Sequence, residues 1–396
     1  MESRFPWREN NGVTKGKIMS TVYISIGTPK TGTTALQTFL RENEEELNKQ
    51  GYCYPMLELG IAPYYADRNG QFLVYKSRSE ENKAEREARV RNMAYQQLQK
   101  YIEKYPNIIL SDEQIWYRSR NREDFWQDVL DRFREMGCEV KVIVYLRRQD
   151  LLIQSLWNQS IKMFQKNRWT FKECIERNYF SYHPLDYYEN LKHMEKFLGK
   201  ENIIVRPYER GRFEGEEHTL FSDFFQSVGL TLTDRFQKSV SKNHGLEGNF
   251  LEIKRWINNV PGYASIRDFL SRPVLNASMH YTELGENEKA NMFSYEEQKA
   301  YLAQFEESNR KVAEEYLGRK EEPLFYDEVK EAPQWTFRED RLSRDIVAIM
   351  TEAFSVQEKR IADLKSELKE TKEELENLKN IRLLRTYRKV GDFFKH

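Results

Sequence analysis

The sequence is poor in cysteine, has no long apolar run and carries no excess charge of either sign. Cys53, Cys138 and Cys174 are its three cysteines, too few and too scattered for a disulfide framework or a zinc site. They suit a reducing compartment as buried or inert thiols. Lys+Arg and Asp+Glu each total 63, so the formal charge is zero and global polyanion binding is not implied. No stretch approaches the roughly 18 apolar residues needed to cross a bilayer. Residues 1–18 carry Arg4, Arg8, Lys15 and Lys17 without a segment of signal-peptide character. They read as a disordered leader, with Met19 as the functional start. No repeat of 20 to 50 residues is present. At 396 residues the chain has room for one large domain and an appendage. A cytoplasmic protein, possible to recruit to a membrane periphery, is expected.

What is present begins at Val22 with "VYISIGTPKTGTTALQTFLREN". Val22 to Ile26 is a short β-branched and aromatic run of the kind found in buried strands. Thr33 and Thr34 are expected to cap the helix that follows, with Leu36, Phe39, Leu40 and Leu47 inward. Between strand and helix, Gly27 and Gly32 let the backbone turn and aim several N–H groups at one spot. A helix N-terminus there carries roughly half a positive charge and suits an anion. Lys30 adds a cation, and Thr31, Thr33 and Thr34 add three hydroxyls. The familiar phosphate loop GxxxxGK[ST] places its lysine after the second glycine, however, and here Lys30 precedes it.

Further strands are expected at Gly51–Pro55, at "NIILSDE" (Asn107–Glu113), at "CEVKVIVYLRR" (Cys138–Arg148) and at Asn202–Glu209. Helices are expected over 80–104, around Phe125 to Phe133, from Asp150, and around Leu191 to Leu198. Short strands, apolar on both faces and alternating with helices, argue for an α/β fold with a parallel sheet flanked by helices. From Phe221 the pattern is mainly helical. Ser294 and Glu297 form a capping box opening a helix that runs to Gly318. Met350, Phe354, Ile361, Leu364, Leu368, Leu375 and Leu378 then follow a heptad, with Gln357 and Thr371 filling the gaps.

A second phosphate signal starts at Arg147, at the end of a strand, with Ser155 eight residues on in the next helix. Both can face one phosphate at the carboxyl edge of the sheet, where open α/β sheets bind ligands. Arginine offers a bidentate fork and serine one more donor. With both signals in view, the chain resembles the sulfotransferases that use 3′-phosphoadenosine 5′-phosphosulfate. "TPKTGTTALQ" is similar to their 5′-phosphosulfate loop, and "YLRRQDLLIQS" to their 3′-phosphate segment. "YYENLKHMEKFLGKENIIVRPYER" and "ESNRKVAEEYLGR" resemble stretches of bacterial members associated with surface glycans. The resemblance covers about Ser20 to Asp327. It implies a P-loop-like sulfotransferase fold, placed over 19–345; the heptads imply a coiled-coil helix over 346–380, and the composition a basic amphipathic tail over 381–396. It also implies that Pro29, Lys30, Thr31, Gly32, Thr33, Thr34, Arg147 and Ser155 bind this donor without a metal. At the crest of its turn, Lys30 can reach the oxygen bridging phosphate and sulfate, where negative charge grows as the bond breaks.

A base must take the acceptor's proton, and family members use a glutamate or a histidine. Glu113, ending the third expected strand, is the first candidate; Glu58 is the second and His183 the third. Related bacterial proteins often carry histidines where this chain reads "ADRNGQFLVY", which has none. Asp112-Glu113 at a strand end also permits a triphosphate kinase or hydrolase that holds magnesium. A non-catalytic scaffold built on the coiled coil is a third reading. Trp116, Tyr117, Tyr182, Tyr187 and their neighbours suit a sugar ring, so a carbohydrate hydroxyl of a surface glycan is the expected acceptor. The heptads imply a homo-oligomer. The tail, with Ile381, Leu383, Leu384, Tyr387, Val390 and Phe393 among basic residues, suits an anionic membrane surface or a glycan-assembly partner.

Overall fold

Val22 and Ile24 on one face of the first strand and Tyr23 on the other are all buried, which requires cover on both sides of the sheet. The computed structural model describes residues 20–60, 67–162, 167–237, 245–287 and 291–393, apart from the side chains of 383–386 and 388–393. The expected leader, Met19 and most side chains of the expected amphipathic tail lie outside the described residues. The chain divides into two compact units. The first is drawn from Met1–Leu156, Phe171–Asn243 and Met292–Gln334; the second from Trp157–Thr170, His244–Asn291 and Trp335–His396.

In the first unit the chain runs β1 (Ser20–Ser25), α1 (Thr33–Glu42), α2 (Glu44–Lys49), β2 (Tyr52–Cys53), α3 (Lys83–Ile102) and β3 (Asn107–Ser111). It continues through α4 (Ile115–Arg118), α5 (Phe125–Glu135), β4 (Cys138–Leu146) and α6 (Gln149–Lys162), whose last turns enter the second unit. Then come α7 (Phe171–Glu176), α8 (Tyr187–Leu198), β5 (Ile203–Pro207) and α9 (Leu220–Val228). The sheet is five-stranded in the order β2-β3-β1-β4-β5, and every pairing is parallel. β1 is central, pairing Ser25 with Ser111 of β3 and with Ile143 of β4. On one face Tyr23, Ile109 and Tyr145 pack with Leu36, Phe39 and Leu40 of α1 and with Phe224 and Phe225 of α9. On the other, α5 and α8 pack on β4. Burial of each such aromatic or leucine contributes about 1.5–3 kcal/mol.

The second unit contains α10 (Asn249–Asn259) and α11 (Ala264–Glu283); α12 (Tyr295–Ala303) and α13 (Glu306–Leu317) return to the first, and α14 (Leu342–Phe393) belongs to the second. α14 packs its first turns on α10 and α11. Among the described residues, no helix is long and apolar enough to cross a membrane.

Two expectations are corrected. The capping box forms as read, with Ser294 Oγ accepting from Glu297 N at 3.2 Å, but its helix stops at Ala303. Phe305 N donates to Leu302 O, its ring packs on Tyr301, and a new helix starts at Glu306 with two acidic residues in its first turn. Gly318, at φ 67°, does end that second helix. Thr33 and Thr34 do not cap α1: Gly32, at φ 76°, is the N-cap and no side chain accepts from the first turn.

Candidate active site

The loop after β1 follows the edge of β4. Ile26 N donates to Ile143 O at 3.0 Å and Thr28 N to Tyr145 O at 2.9 Å. The chain then turns under Thr31, whose Oγ1 donates to Thr28 O at 2.7 Å. Two residues take the left-handed region, Lys30 at φ 71° and Gly32 at φ 76°. At Gly32 a Cβ would stand 2.6 Å from Leu220 Cδ2, which would have to shift, and the left-handed backbone itself favours glycine. Lys30 has no such exemption, and its conformation costs on the order of 1–2 kcal/mol. Arg147 opposes that cost: its Nη1 donates to Lys30 O at 2.8 Å. The two phosphate motifs, 117 residues apart, therefore touch through this bond.

The absence of a capping side chain is what makes the start of α1 receptive. Its first N–H groups are not satisfied by a side chain, and the helix dipole adds to their field. Thr31 commits its hydroxyl proton inside the loop, so Thr33, buried, and Thr34, exposed, supply the remaining hydroxyl donors. Pro29 is buried at the turn and Lys30 half-buried. Beneath them Ser25 Oγ and Thr28 Oγ1 are buried without a hydrogen-bond partner among the described residues. Such groups are costly unless a ligand or water answers them.

Three arginines near the ends of β4 and β5 separate into two kinds. Arg148 Nε donates to Asp150 Oδ1 at 2.8 Å, and Arg206 Nε to Asp223 Oδ1 at 3.0 Å, so both are neutralised. Arg147 has no carboxylate at salt-bridge distance among the described residues, and its charge is lowered in stability by burial, with Arg210 adding to the effect. A half-buried guanidinium with no carboxylate at salt-bridge distance fits an anion. Ser155, half-buried on the second turn of α6, has no side-chain hydrogen bond among the described residues.

The end of β3 is built differently. Asp112 N donates to Ser25 O at 3.1 Å, which carries the sheet past Ser111 and brings Asp112 and Glu113 to the edge beside the loop. Gln37 of α1 donates to Ser111 Oγ at 3.1 Å. Arg68 grips both oxygens of fully buried Asp112, at 2.9 and 2.8 Å, and stands 3.7 Å from Glu113 Oε2. Burial pushes the Asp112 carboxyl up, and Arg68 pulls it back. Glu113 Oε2 is buried and accepts no hydrogen bond among the described residues. The segment carrying Arg68 is held by Asn69, which donates to Pro55 O and Ile109 O and accepts from Ser111 N.

The other two base candidates are elsewhere. Glu58 is exposed, and its backbone N and O are both engaged by the side chain of Gln97 on α3. His183 is buried between Tyr117 and Tyr182, at ring distances of 4.9 and 4.3 Å. Burial lowers its pKa to about 4, and Nδ1 has no hydrogen-bond partner among the described residues. A histidine so placed is neutral and walled off by rings.

Sequence reading missed Arg68, Asn69 and Arg210. Arg210, three residues beyond β5, had a signal of a kind, as a cation just past a strand end. Arg68 had none, because its partner is 44 residues away. No family model matches the chain. An uncharacterized protein of Archaeoglobus fulgidus is 28% identical over 207 residues, which are 52% of this chain and 53% of that protein. The chain thus spans about half the length of that curated relative.

Proposed function

We propose that the protein is a sulfotransferase, moving a sulfuryl group from 3′-phosphoadenosine 5′-phosphosulfate to an acceptor hydroxyl, with a carbohydrate as the acceptor class. The observation that carries this reading is Arg147, a half-buried cation with no carboxylate at salt-bridge distance among the described residues, bonded to the carbonyl of Lys30. The orphaned hydroxyls of Ser25 and Thr28 and the uncapped start of α1 support it. When bound, the donor supplies an activated sulfate on a phosphate leaving group. Arg147 and Ser155 hold its 3′-phosphate, and the loop N–H groups with Thr33 and Thr34 hold the 5′ end. Lys30 neutralises the oxygen that gains charge as the sulfur–oxygen bond to that phosphate breaks. Glu113 takes the proton from the acceptor hydroxyl as the new oxygen–sulfur bond forms, and Arg68 orients it.

The magnesium-holding alternative is disfavoured by Asp112. Its oxygens already accept from Arg68 and from Gln114 N at 2.7 Å, so a metal would have to displace a buried ion pair. Calorimetric titration with adenosine 3′,5′-bisphosphate, 5′-AMP and ATP tests the reading. The bisphosphate is expected to bind about ten- to a hundredfold tighter than the other two, and Arg147→Ala to erase that margin. A preference for ATP, or no binding of any of the three, overturns it.

A further inference from the structure

α14 bears two apolar stripes, and its own unit covers one. Asp345 and Ile349 are buried, Val356 is half-buried, and Glu352 accepts from Asn276 of α11 at 3.1 Å. These residues recur every three or four positions on the face toward α11. The other stripe starts at Val347 and Met350 and runs through Phe354, Ile361, Leu364, Leu368, Leu375 and Leu378, all of them exposed. From Gln357 to Arg382 every residue of the helix is exposed. No described part of the chain covers this stripe.

We infer that this stripe is the seam of a parallel, in-register coiled coil with a second copy of the chain. The inference is independent of the proposed chemistry. With Phe354, Ile361, Leu368 and Leu375 at a and Gln357, Leu364, Thr371 and Leu378 at d, the flanks carry opposite signs. Of the four e positions, Glu358 is followed by Lys365, Lys372 and Lys379; two of the g positions are Glu367 and Glu374. A parallel pair sets Glu367 against Lys372 of the second copy and Glu374 against Lys379, with Arg360 facing Lys365 as the one clash on each side. The flanks are thus complementary to themselves, which makes a second copy the fitting occupant. An antiparallel pair over the same span also finds favourable charges, by setting Arg360 against Glu374.

The two polar layers decide between them. In register and parallel, Gln357 meets Gln357 and Thr371 meets Thr371, so each buried polar group finds a partner. In the antiparallel pair Gln357 meets Leu375, leaving two glutamine amides against aliphatic walls, whereas Thr371, whose Oγ1 donates to Glu367 O at 2.8 Å in its own helix, meets Ile361. A slip of one heptad likewise puts Gln357 on Leu364.

The test uses full-length protein. Light scattering at micromolar concentration should give a dimer that dissociates on dilution, and Leu368→Lys with Leu375→Lys should weaken it at least tenfold while the rest of the chain keeps its melting transition. Leu378→Cys should cross-link to itself under mild oxidation, since the native cysteines are buried. Glu367→Lys/Glu374→Lys and Lys372→Glu/Lys379→Glu should each dimerise poorly alone and pair with one another when mixed. A monomer at all concentrations overturns the inference. A dimer in which Leu378→Cys fails to cross-link, or in which the mixed charge variants do not rescue each other, overturns the parallel register.

Discussion

The ends of β3 and β4 flank the same central strand and present opposite electrostatic solutions. At β3, two carboxylates stand with an arginine, and Asp112 and Arg68 neutralise each other. At β4, Arg147 is half-buried with no carboxylate at salt-bridge distance among the described residues, while the arginines beside it are paired. A fold that balances its charges at one strand end and withholds balance at the next leaves that second end for an anion from outside. The β3 end keeps one oxygen, Glu113 Oε2, without a hydrogen bond among the described residues. On the proposed reading, the difference separates a position that binds from a position that takes a proton.

That contrast can be broken by substitution, starting at β3. Glu113→Gln keeps the shape and removes the basicity; turnover is expected to fall about a hundred- to ten-thousandfold with unchanged binding of adenosine 3′,5′-bisphosphate. Near wild-type turnover in a sulfuryl-transfer assay would move the base elsewhere. Arg68→Ala leaves the Asp112 charge buried and alone, so urea unfolding should register a loss of about 3–5 kcal/mol. The same measurement on Arg68→Ala/Asp112→Asn should recover most of it. If the single variant unfolds like the parent, the pair is not the balanced unit described.

The smallest effect concerns His183. Its folded pKa, about 4, lies below the ordinary 6.5, so between these values the unfolded chain takes up a proton that the folded one refuses. Stability then falls as pH drops through that window, by on the order of 3 kcal/mol at pH 4. His183→Phe should flatten this part of the profile relative to the parent, the contributions of other groups being common to both. Parallel profiles would mean that the imidazole titrates normally.

The parallel sheet was legible because Val22–Ile26, "NIIL" and "VKVIVYL" are apolar on both faces, a pattern few alternatives satisfy. Strand ends came within a residue or two; β4 closes at Leu146, with the arginines just beyond it. The break between α12 and α13 was not legible, since no proline or glycine marks it and Phe305 turns inward on Tyr301. The missing cap on α1 escaped for a related reason: two threonines suggest a cap, while the role falls to Gly32 through a positive φ that the sequence does not specify. In the site, Lys30, Arg147 and Glu113 were readable from their places after strands. Arg68 was not, because it owes its position to Asn69, whose partners span Pro55 to Ser111.

The interleaving of the two units fixes when each can be finished during synthesis. All five strands have been made once Pro207 emerges, yet α13, which packs on α8 and β5, comes about a hundred residues later. Gln149 waits for Asn309 and Tyr188 for Glu315 before their side-chain bonds can close. The helices of the second unit wait longer still, for the first turns of α14. A ribosome-bound chain halted between α11 and α13 therefore exposes apolar faces of both units at once, and such a chain needs a holding chaperone more than one built of consecutive domains.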